Sequence, residues 1–410
     1  MRPSNKPFVP VIRSLAEDDV YKTYMWQALL HAAPANQARY RFVCRNTPVF
    51  PLSELLDEVQ EQLDWLCTLR YTESELEFMG RPSYVKSDFI DFLRIFQLQR
   101  RYIRVWAEGD VLCIEPEGPQ IHVMNFEIYA LAIVNELYFR RLTAQTPGGE
   151  AAVLAEGRAR LNAKIALIRE YEARGRLNGK HPFEFFDFSL RRRYSGAFQD
   201  EMVGTLAREI PHYFKGTSNV YLAQKHGLPS IGTMAHEYLQ TYQAMGFQLR
   251  GFQAAALEGW VREFRGSLGI ALTDVVGMDS FLRDFDLYFA KLFDGLRHDS
   301  GDPYVWAEKA LAHYAKLKVD AHTKRLVFSD GLDLPRSLAL YERFCERTQM
   351  GFGLGTNLGN DMGLVPLNIV LKLVTCNGQP TAKLPDSEGK TLCDDETFKA
   401  YLRQQFPNNV

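Results

Sequence analysis

From Phe183 onward the chain repeats one pattern: a short apolar run ending in Gly, Ser or Asp, a polar loop, then a helix with a clear start signal. Strands are expected over Phe183–Ser189, over Ser230–Thr233 just ahead of a helix from Ala235, and over Gly269–Asp274, Lys291–Leu296, Arg325–Ser329 and Gly351–Gly355. Asp302-Pro303 puts an N-cap residue and an N1 proline before a helix over Tyr304–Leu317, and Leu334-Pro335 does the same before Arg336–Arg347. Strand–loop–helix units of this length specify a parallel sheet with helices outside it. No strand is followed by a GxGxxG fingerprint, because Gly353-Leu-Gly355-Thr-Asn-Leu-Gly359 has the wrong spacing. An α/β barrel is therefore expected rather than an open sheet, with its chemistry at the C-terminal ends of the strands.

The first 140 residues read as mainly helical α+β material. Ser14-Leu-Ala-Glu17 has capping-box spacing ahead of a helical run to Pro34; Ser53 caps a run over Glu54–Arg70 and Ser87 one over Asp88–Gln99. Strand-like pieces lie at Ala38–Arg45 and Tyr102–Pro116. Gly148-Gly149 opens a helix over Glu150–Ala173, closed at Gly175, that leads into the barrel. The tail reads as a hairpin, Leu367–Cys376 and Gln379–Leu384 around Asn377-Gly378, with Pro380 marking an edge strand.

Composition narrows the function. Lys plus Arg is 48 against 50 Asp plus Glu, which argues against a dedicated nucleic-acid binder but leaves room for a local basic pocket. The six cysteines include no CxxC pair, so a zinc ribbon or a redox motif is not expected and reduced cytoplasmic thiols are. The N-terminus MRPSNKPFVPVIRSLAEDD lacks the apolar core of a secretory signal. Apolar stretches near Ile128–Phe139 and Leu364–Cys376 carry Asn135, Glu136, Asn368 and Lys372 and are too short for a membrane helix.

Four segments at strand ends or helix starts carry candidate chemistry. Phe185-Phe-Asp-Phe188-Ser-Leu-Arg191-Arg192-Arg193 sets three arginines after an apolar strand. They cannot all be buried, and one facing the barrel mouth would grip carboxylate or phosphate with two prongs; the plainer alternative is a solvated loop. Gly216-Thr217-Ser218-Asn219 and Gly232-Thr-Met-Ala-His236-Glu237 offer an anion nest of backbone N–H groups. The HExxH zinc motif fails at Gln240, and a histidine at a helix start is commonly a cap or a surface residue. Arg297-His-Asp299-Ser300-Gly301-Asp302 suits a phosphorylated sugar, with Arg on phosphate, a carboxylate on ribose hydroxyls and Mg²⁺ between the remaining charges; its alternative is a capped turn. Phe328-Ser-Asp330-Gly331 and Gly351-Phe-Gly353-Leu-Gly355-Thr356-Asn357 are glycine-bearing loops after the last two strands, where (β/α) barrels hold phosphate. Glycines at 351, 353 and 355 leave one strand face bare, which implies close approach to something.

In this order the segments resemble the nicotinate phosphoribosyltransferase family. The matching stretches are DDVYKTYMWQALL, RYRFVCRN, FDFSLRRR, GTSNVYLAQKHGLPSIGTMAHE, LTDVVGMDSFLRDFD, LFDGLRHDSGDP, FSDGLD and GFGLGTNLGND, and the closing KLVTCNGQPTAKL also fits. The resemblance implies an α/β chain of the type II phosphoribosyltransferase fold. An N-terminal α/β sandwich domain (1–145) is joined to an irregular α/β barrel (146–365), and C-terminal strands (366–410) return to the first domain. It implies ATP-coupled transfer of phosphoribosyl from 5-phosphoribosyl 1-diphosphate to nicotinate, giving nicotinate mononucleotide and pyrophosphate, the first step of NAD synthesis from nicotinate. Such an enzyme is classed as a ligase, with Mg²⁺ as cofactor and ATP as co-substrate. A cytoplasmic homodimer with shared active sites is implied as well, Tyr21 crossing from the partner to stack on the pyridine ring and Phe188 covering its other face. Arg191 would meet the ligand's anionic groups, beside Thr217 and Ser218. Arg297 and Asp299, with Ser300 and Gly301, would hold the diphosphate, and Asp299 the Mg²⁺. Gly331, Gly355 and Thr356, beside Asp330, would hold the 5′-phosphate, and His236 matches the histidine that ATP phosphorylates.

Nicotinate, phosphoribosyl diphosphate and ATP are all anions, so arginines and N–H nests are needed despite the neutral balance. Displacement of pyrophosphate by a ring nitrogen through a cationic sugar needs positioning, leaving-group stabilisation and exclusion of water rather than an acid or base. A neutral imidazole can accept phosphate near pH 7. Nicotinamide-using relatives carry an acidic residue in the third position of GT-x; here it is Ser218, which favours nicotinate. Two mild departures from the family, Ser189 for a frequent glycine and Tyr238 for a common Trp, touch no ligand group. The alternatives on the same fold are nicotinamide and quinolinate phosphoribosyltransferases. A barrel lyase or isomerase is opposed by the lack of a Schiff-base lysine at a strand end, and a non-catalytic sensor by the presence of Asp299, Arg297 and His236.

Overall fold

The structure is a computed structural model describing residues 8–246, 248–387, 391, 393 and 395–407. Residues 1–7 of the N-terminal stretch, and 388–390, 392, 394 and 408–410 of the tail, lie outside the described residues. Two sheets organise the chain. Strands β1 (Gln37–Cys44), β2 (Ile103–Glu108) and β3 (Val111–Pro119) open the first sheet. Strands β4 (Phe185–Asp187), β5 (Phe214–Thr217), β6 (Ile270–Leu272), β7 (Gly295–His298), β8 (Arg325–Phe328) and β9 (Gln349–Leu354) form the second. Strands β10 (Ile369–Cys376) and β11 (Gln379–Pro380) complete the first.

The first sheet is antiparallel, in the order β11-β10-β1-β3-β2. The C-terminal strand β10 thus lies inside the N-terminal sheet, paired with β1 from Ala38↔Cys376 to Cys44↔Ile369. The hairpin turn forms at Asn377-Gly378, whose φ angles of 50° and 74° are the positive values a tight two-residue turn demands. Pro380 sits on the edge strand, although its arm is two residues long rather than reaching Leu384. The helix Phe126–Gln145 is buried on every side from Phe126 to Phe139, which is why its sequence is apolar without helical periodicity.

The second sheet is parallel throughout, in the order β5-β4-β9-β8-β7-β6. Among the described residues no ladder joins β5 to β6. The gap is bridged by residues 230–233, through a single parallel bridge Thr217↔Ser230, Ile231 N donating to Thr217 O at 2.9 Å, and Thr233 Oγ1 donating to Ile270 O at 3.0 Å. The strand expected at Ser230–Thr233 is therefore one bridge, and a loop rather than a ladder spans the opening. Pro229 brings no N–H to a ladder there, and a Cβ on Gly232 would lie 2.8 Å from Val20 Cγ1.

Other boundaries shift for local reasons. Lys291 and Leu292 end a helix, Leu287–Leu292, capped by Asp286, and the strand starts only at Gly295. Helix Val20–Ala32 starts six residues after Ser14; Ser14 Oγ instead accepts from Ala16 N and Glu17 Oε1 from Arg13 N, closing a turn. Leu52–Leu55 is a 3₁₀ turn ahead of helix Leu56–Leu66, and Ser87 begins helix Ser87–Ile95 behind Lys86. A true capping box, Thr72 with Glu75, starts the unanticipated helix Glu73–Met79. Asp302 caps Pro303–Lys316 as expected, whereas Leu334–Phe344 is capped by Asp333. No helix among the described residues is long and apolar enough to cross a membrane.

Candidate active site

The residues that follow the C-terminal ends of β4, β5, β7, β8 and β9 converge on one cavity of about 350 Å³. Helix Val20–Ala32 and β10 complete its wall. Of the positions singled out from the sequence, Tyr21, Phe188, Arg191, Ser218, His236, Arg297, Asp299, Asp330, Gly331, Gly355 and Thr356 line it. Thr217, Ser300 and Gly301 do not. The Thr217 hydroxyl donates to Asp187 at 2.8 Å within a buried knot, the Ser300 hydroxyl donates to Asp274 at 2.8 Å, and Gly301 N donates to Ser387 at 2.9 Å.

The first cluster gathers around Arg191, in the 3₁₀ turn Leu190–Arg192 after β4. Its Nε lies 3.3 Å from Asp19 Oδ2 and its Nη1 3.2 Å from Glu127 Oε1, and the guanidinium sits 5.5 Å from the centre of the Tyr21 ring. Glu127 also meets Lys22 at 2.8 Å and Lys372 at 4.0 Å. Lys22, wholly buried, pairs in addition with Glu237, which accepts from Tyr40. Burial pushes the Glu127 carboxyl up, but Lys22, Lys372 and Arg191 outweigh it and hold it at about 2. Burial raises Asp19 to about 6 against the pull of Arg191 and of the Ser218 hydroxyl, which donates to it. Burial lowers Lys372 to about 8.

Tyr21 was expected to cross from a partner subunit. Here Tyr21 and Phe188 line the same cavity of one chain. The start of helix Val20–Ala32 is tied to its own barrel by the Asp19↔Asn219 bridge and by Val20 N donating to Ser218 O at 2.8 Å, which brings Tyr21 to the cavity. Of the three arginines, Arg191 and Arg192 line the cavity, and Arg193 is 1% exposed, paired with Glu17 at 2.9 Å and Glu136 at 3.7 Å. The bare face of β9 receives aromatic rings. A Cβ on Gly351 would come within 2.7 Å of the Phe186 ring, and one on Gly353 within 2.3 Å of the Phe188 ring.

The second cluster holds His236, the first residue of helix His236–Tyr242. Its Nε2 lies 2.8 Å from Asp274 Oδ1, which assigns the ring proton to Nε2 and leaves the Nδ1 lone pair toward Asp299, whose Oδ2 is 3.7 Å away. Lys383 Nζ lies 3.4 Å from His236 Nε2 and 4.0 Å from Asp274 Oδ2. Burial lowers the imidazole below its ordinary value against the opposing pull of Asp274, so the ring is neutral at pH 7. Asp299 accepts from the Ser329 hydroxyl at 3.0 Å, and Arg297 draws its carboxyl below the usual range despite burial. Arg297 Nε is buried with no hydrogen-bond partner among the described residues, a donor left for a ligand. Ligand atoms of His236, Asp274 and Asp299 lie within 4.8 Å of one another; the two carboxylates suit a hard cation such as Mg²⁺.

Several functional residues had not been anticipated. Asp274 ends an expected strand and was open to the same strand-end argument as Asp299. Asp19, Lys22, Glu127, Lys372 and Lys383 come from helix starts, helix interiors and the tail, where spacing gives no signal.

Comparison with known proteins agrees with this geometry. Residues 183–410 match the nicotinate phosphoribosyltransferase (NAPRTase) family model, and residues 17–135 the model of its N-terminal domain. The chain is 61% identical to a nicotinate phosphoribosyltransferase of Herminiimonas arsenicoxydans, over 97% of this chain and 98% of the relative. It is 55% identical to one of Chromobacterium violaceum, over 97% of each. A crystal structure of nicotinate phosphoribosyltransferase from Vibrio cholerae superposes with a TM-score of 0.90 at 35% identity, covering 98% of this chain and 95% of that one. One from Porphyromonas gingivalis gives 0.87 at 32% identity, covering 96% and 100%. The chain belongs to the nicotinate phosphoribosyltransferase family.

Proposed function

We propose that this chain transfers phosphoribosyl from 5-phosphoribosyl 1-diphosphate to nicotinate and couples the transfer to ATP through His236. The observation that carries the reading is the meeting of Arg297, Asp299, His236 and the glycine loops at 331 and 355 around one cavity whose other wall offers Tyr21, Phe188 and Arg191. Tyr21 and Phe188 sandwich the pyridine ring, and Arg191 takes its carboxylate. The loops at Gly331 and Gly355-Thr356 take the 5′-phosphate on backbone N–H groups. The ring nitrogen attacks the anomeric carbon as the bond to pyrophosphate breaks, and Arg297 stabilises the departing charge. Asp274 and Asp299 would hold Mg²⁺, which supplies further charge neutralisation at the diphosphate.

His236 Nδ1 is the nitrogen with a free lone pair, so it is the phosphate acceptor. An N–P bond forms there as ADP leaves, and Asp274 balances the charge on the ring. A cytoplasmic setting suits six cysteines none of which is in a disulfide. The homodimer implied by the family would be an assembly of two sites, each with its own Tyr21.

The test supplies phosphoribosyl diphosphate and Mg²⁺ with nicotinate, nicotinamide or quinolinate, each with and without ATP. Nicotinate mononucleotide that rises with ATP alongside ADP release is expected. Preferential use of nicotinamide or quinolinate, or no mononucleotide at all, overturns the reading.

A further inference from the structure

The cluster around Arg191 presents a problem for any ligand that carries a carboxylate. Arg191 already meets two anions, Asp19 at 3.3 Å and Glu127 at 3.2 Å. The Ser218 hydroxyl has one proton, and it is committed to Asp19. The backbone N–H of Ser218 is also used, donating to Asp187 O at 2.9 Å. A third carboxylate entering here would meet two like charges and a hydroxyl pointing away from it.

The two resident carboxylates are not equivalent. Glu127 is held by three cations, Lys22, Lys372 and Arg191. Among the described residues, Asp19 pairs with one cation, Arg191 from the turn after β4, and otherwise meets negative or neutral groups. These are Asp18 beside it in the chain, Asp187 at the end of β4, Glu127 from helix Phe126–Gln145, Ser218 and Asn219 after β5, and Tyr21 on its own helix. Its side chain is buried and makes no helix-capping hydrogen bond. Asp19 is thus the group that loses its charge at least cost when another anion arrives.

We propose that binding of a pyridine carboxylate takes up one proton from solvent at Asp19, which turns the Ser218 hydroxyl from Asp19 to the ligand. Neutral Asp19 donates to Ser218 Oγ, and the Ser218 proton becomes free to reach the ligand carboxylate beside Arg191. The charge in the cluster is then the same before and after binding. The inference rests on nicotinate being the ligand. The position of Asp19 near 6 in the empty site means that it is ionised at pH 7 and has a proton to gain.

The sign follows from linkage. Proton uptake makes binding weaker as pH rises above the empty-site value, by at most about tenfold per pH unit. Nicotinate binding to the full-length enzyme, with and without phosphoribosyl diphosphate, is measured by calorimetry between pH 6.5 and 8.5 in buffers of different ionisation enthalpy. The expected result is uptake of close to one proton at pH 7.5 and affinity at least about tenfold weaker at pH 8.5 than at 6.5. Asp19→Asn carries an amide N–H that donates to Ser218 without titrating. It should abolish the uptake, flatten the pH profile and bind more tightly than the wild type at pH 8.5. Nicotinate bound by the wild type without proton uptake overturns the inference alone. Uptake that persists in Asp19→Asn also overturns it, because a group other than Asp19 then takes the proton. No nicotinate binding at any pH, with phosphoribosyl diphosphate still bound, removes the inference and the functional reading together.

Discussion

Lys22 is wholly buried between Glu127 and Glu237, and Glu237 directly follows His236 in the chain. One side chain therefore fixes both the carboxylate that meets Arg191 and the start of the helix that carries His236, the proposed phosphate acceptor. Removing one partner of such a buried arrangement leaves charge without compensation. Lys22→Met is expected to destabilise the fold by about 3–5 kcal/mol, read as a lower midpoint in urea unfolding. His236, as the proposed nucleophile, gives a different signature. His236→Ala should abolish ATP stimulation and ADP release while slow formation of nicotinate mononucleotide continues, measured on the purified variant. Full ATP-stimulated activity there would remove His236 from the mechanism. Ser218→Asp replaces the hydroxyl with a second carboxylate against Asp19. It should raise the KM for nicotinate at least about tenfold, the scale of one hydrogen bond to a charged group; an unchanged KM would sink the argument for ring selectivity.

At the level of elements, β9 shows how far a local signal reaches. Its alternating glycines announced a close approach, and the approaching groups are the Phe186 and Phe188 rings. The bare face of this strand thus seats Phe188, whose ring lines the cavity. Gly353→Ala would set a methyl 2.3 Å from the Phe188 ring and force that ring to move. A loss of about 1–3 kcal/mol in stability is expected from the overpacking. A raised KM for nicotinate with little change in kcat should accompany it, because the proposed role of Phe188 is to cover the pyridine ring rather than to act at the anomeric carbon. Strands β8 and β9 were legible because an apolar run stops at a polar loop. Strand β5 was not, since Phe214-Lys-Gly-Thr217 offers one large apolar residue. Lys291–Leu296 misled because the apolar face of a helix runs through Phe293 into the strand with no break in hydropathy. Arg297, Asp299 and His236 stood out because polar groups at strand ends and helix starts are conspicuous after apolar runs. Glu127 lies inside a buried apolar helix, and Lys372 and Lys383 lie in the tail; only three-dimensional convergence shows their relation to the cavity.

Across the whole molecule the C-terminal strand ties the sheet to the site. Strand β10 lies between β11 and β1, and it brings Lys372 to Glu127; Lys383, after β11, stands beside His236. Ending the chain at residue 365 would leave β1 without its partner along seven registered pairs, from Ala38 to Cys44, and would expose the apolar face that β10 covers. The truncated chain is expected to lose its cooperative thermal transition and to be insoluble. That result alone would not separate structure from chemistry. Lys383→Met separates them, because its backbone leaves the hairpin intact while the cation beside His236 and Asp274 is removed. It should retain the thermal transition to within a few degrees while ATP-stimulated kcat/KM falls at least about tenfold, the scale of one charge-assisted hydrogen bond. A Lys383→Met enzyme with full ATP-stimulated activity would reduce the returning strand to a structural clasp. A folded but ATP-insensitive enzyme would establish that the tail completes the active site as well as the sheet.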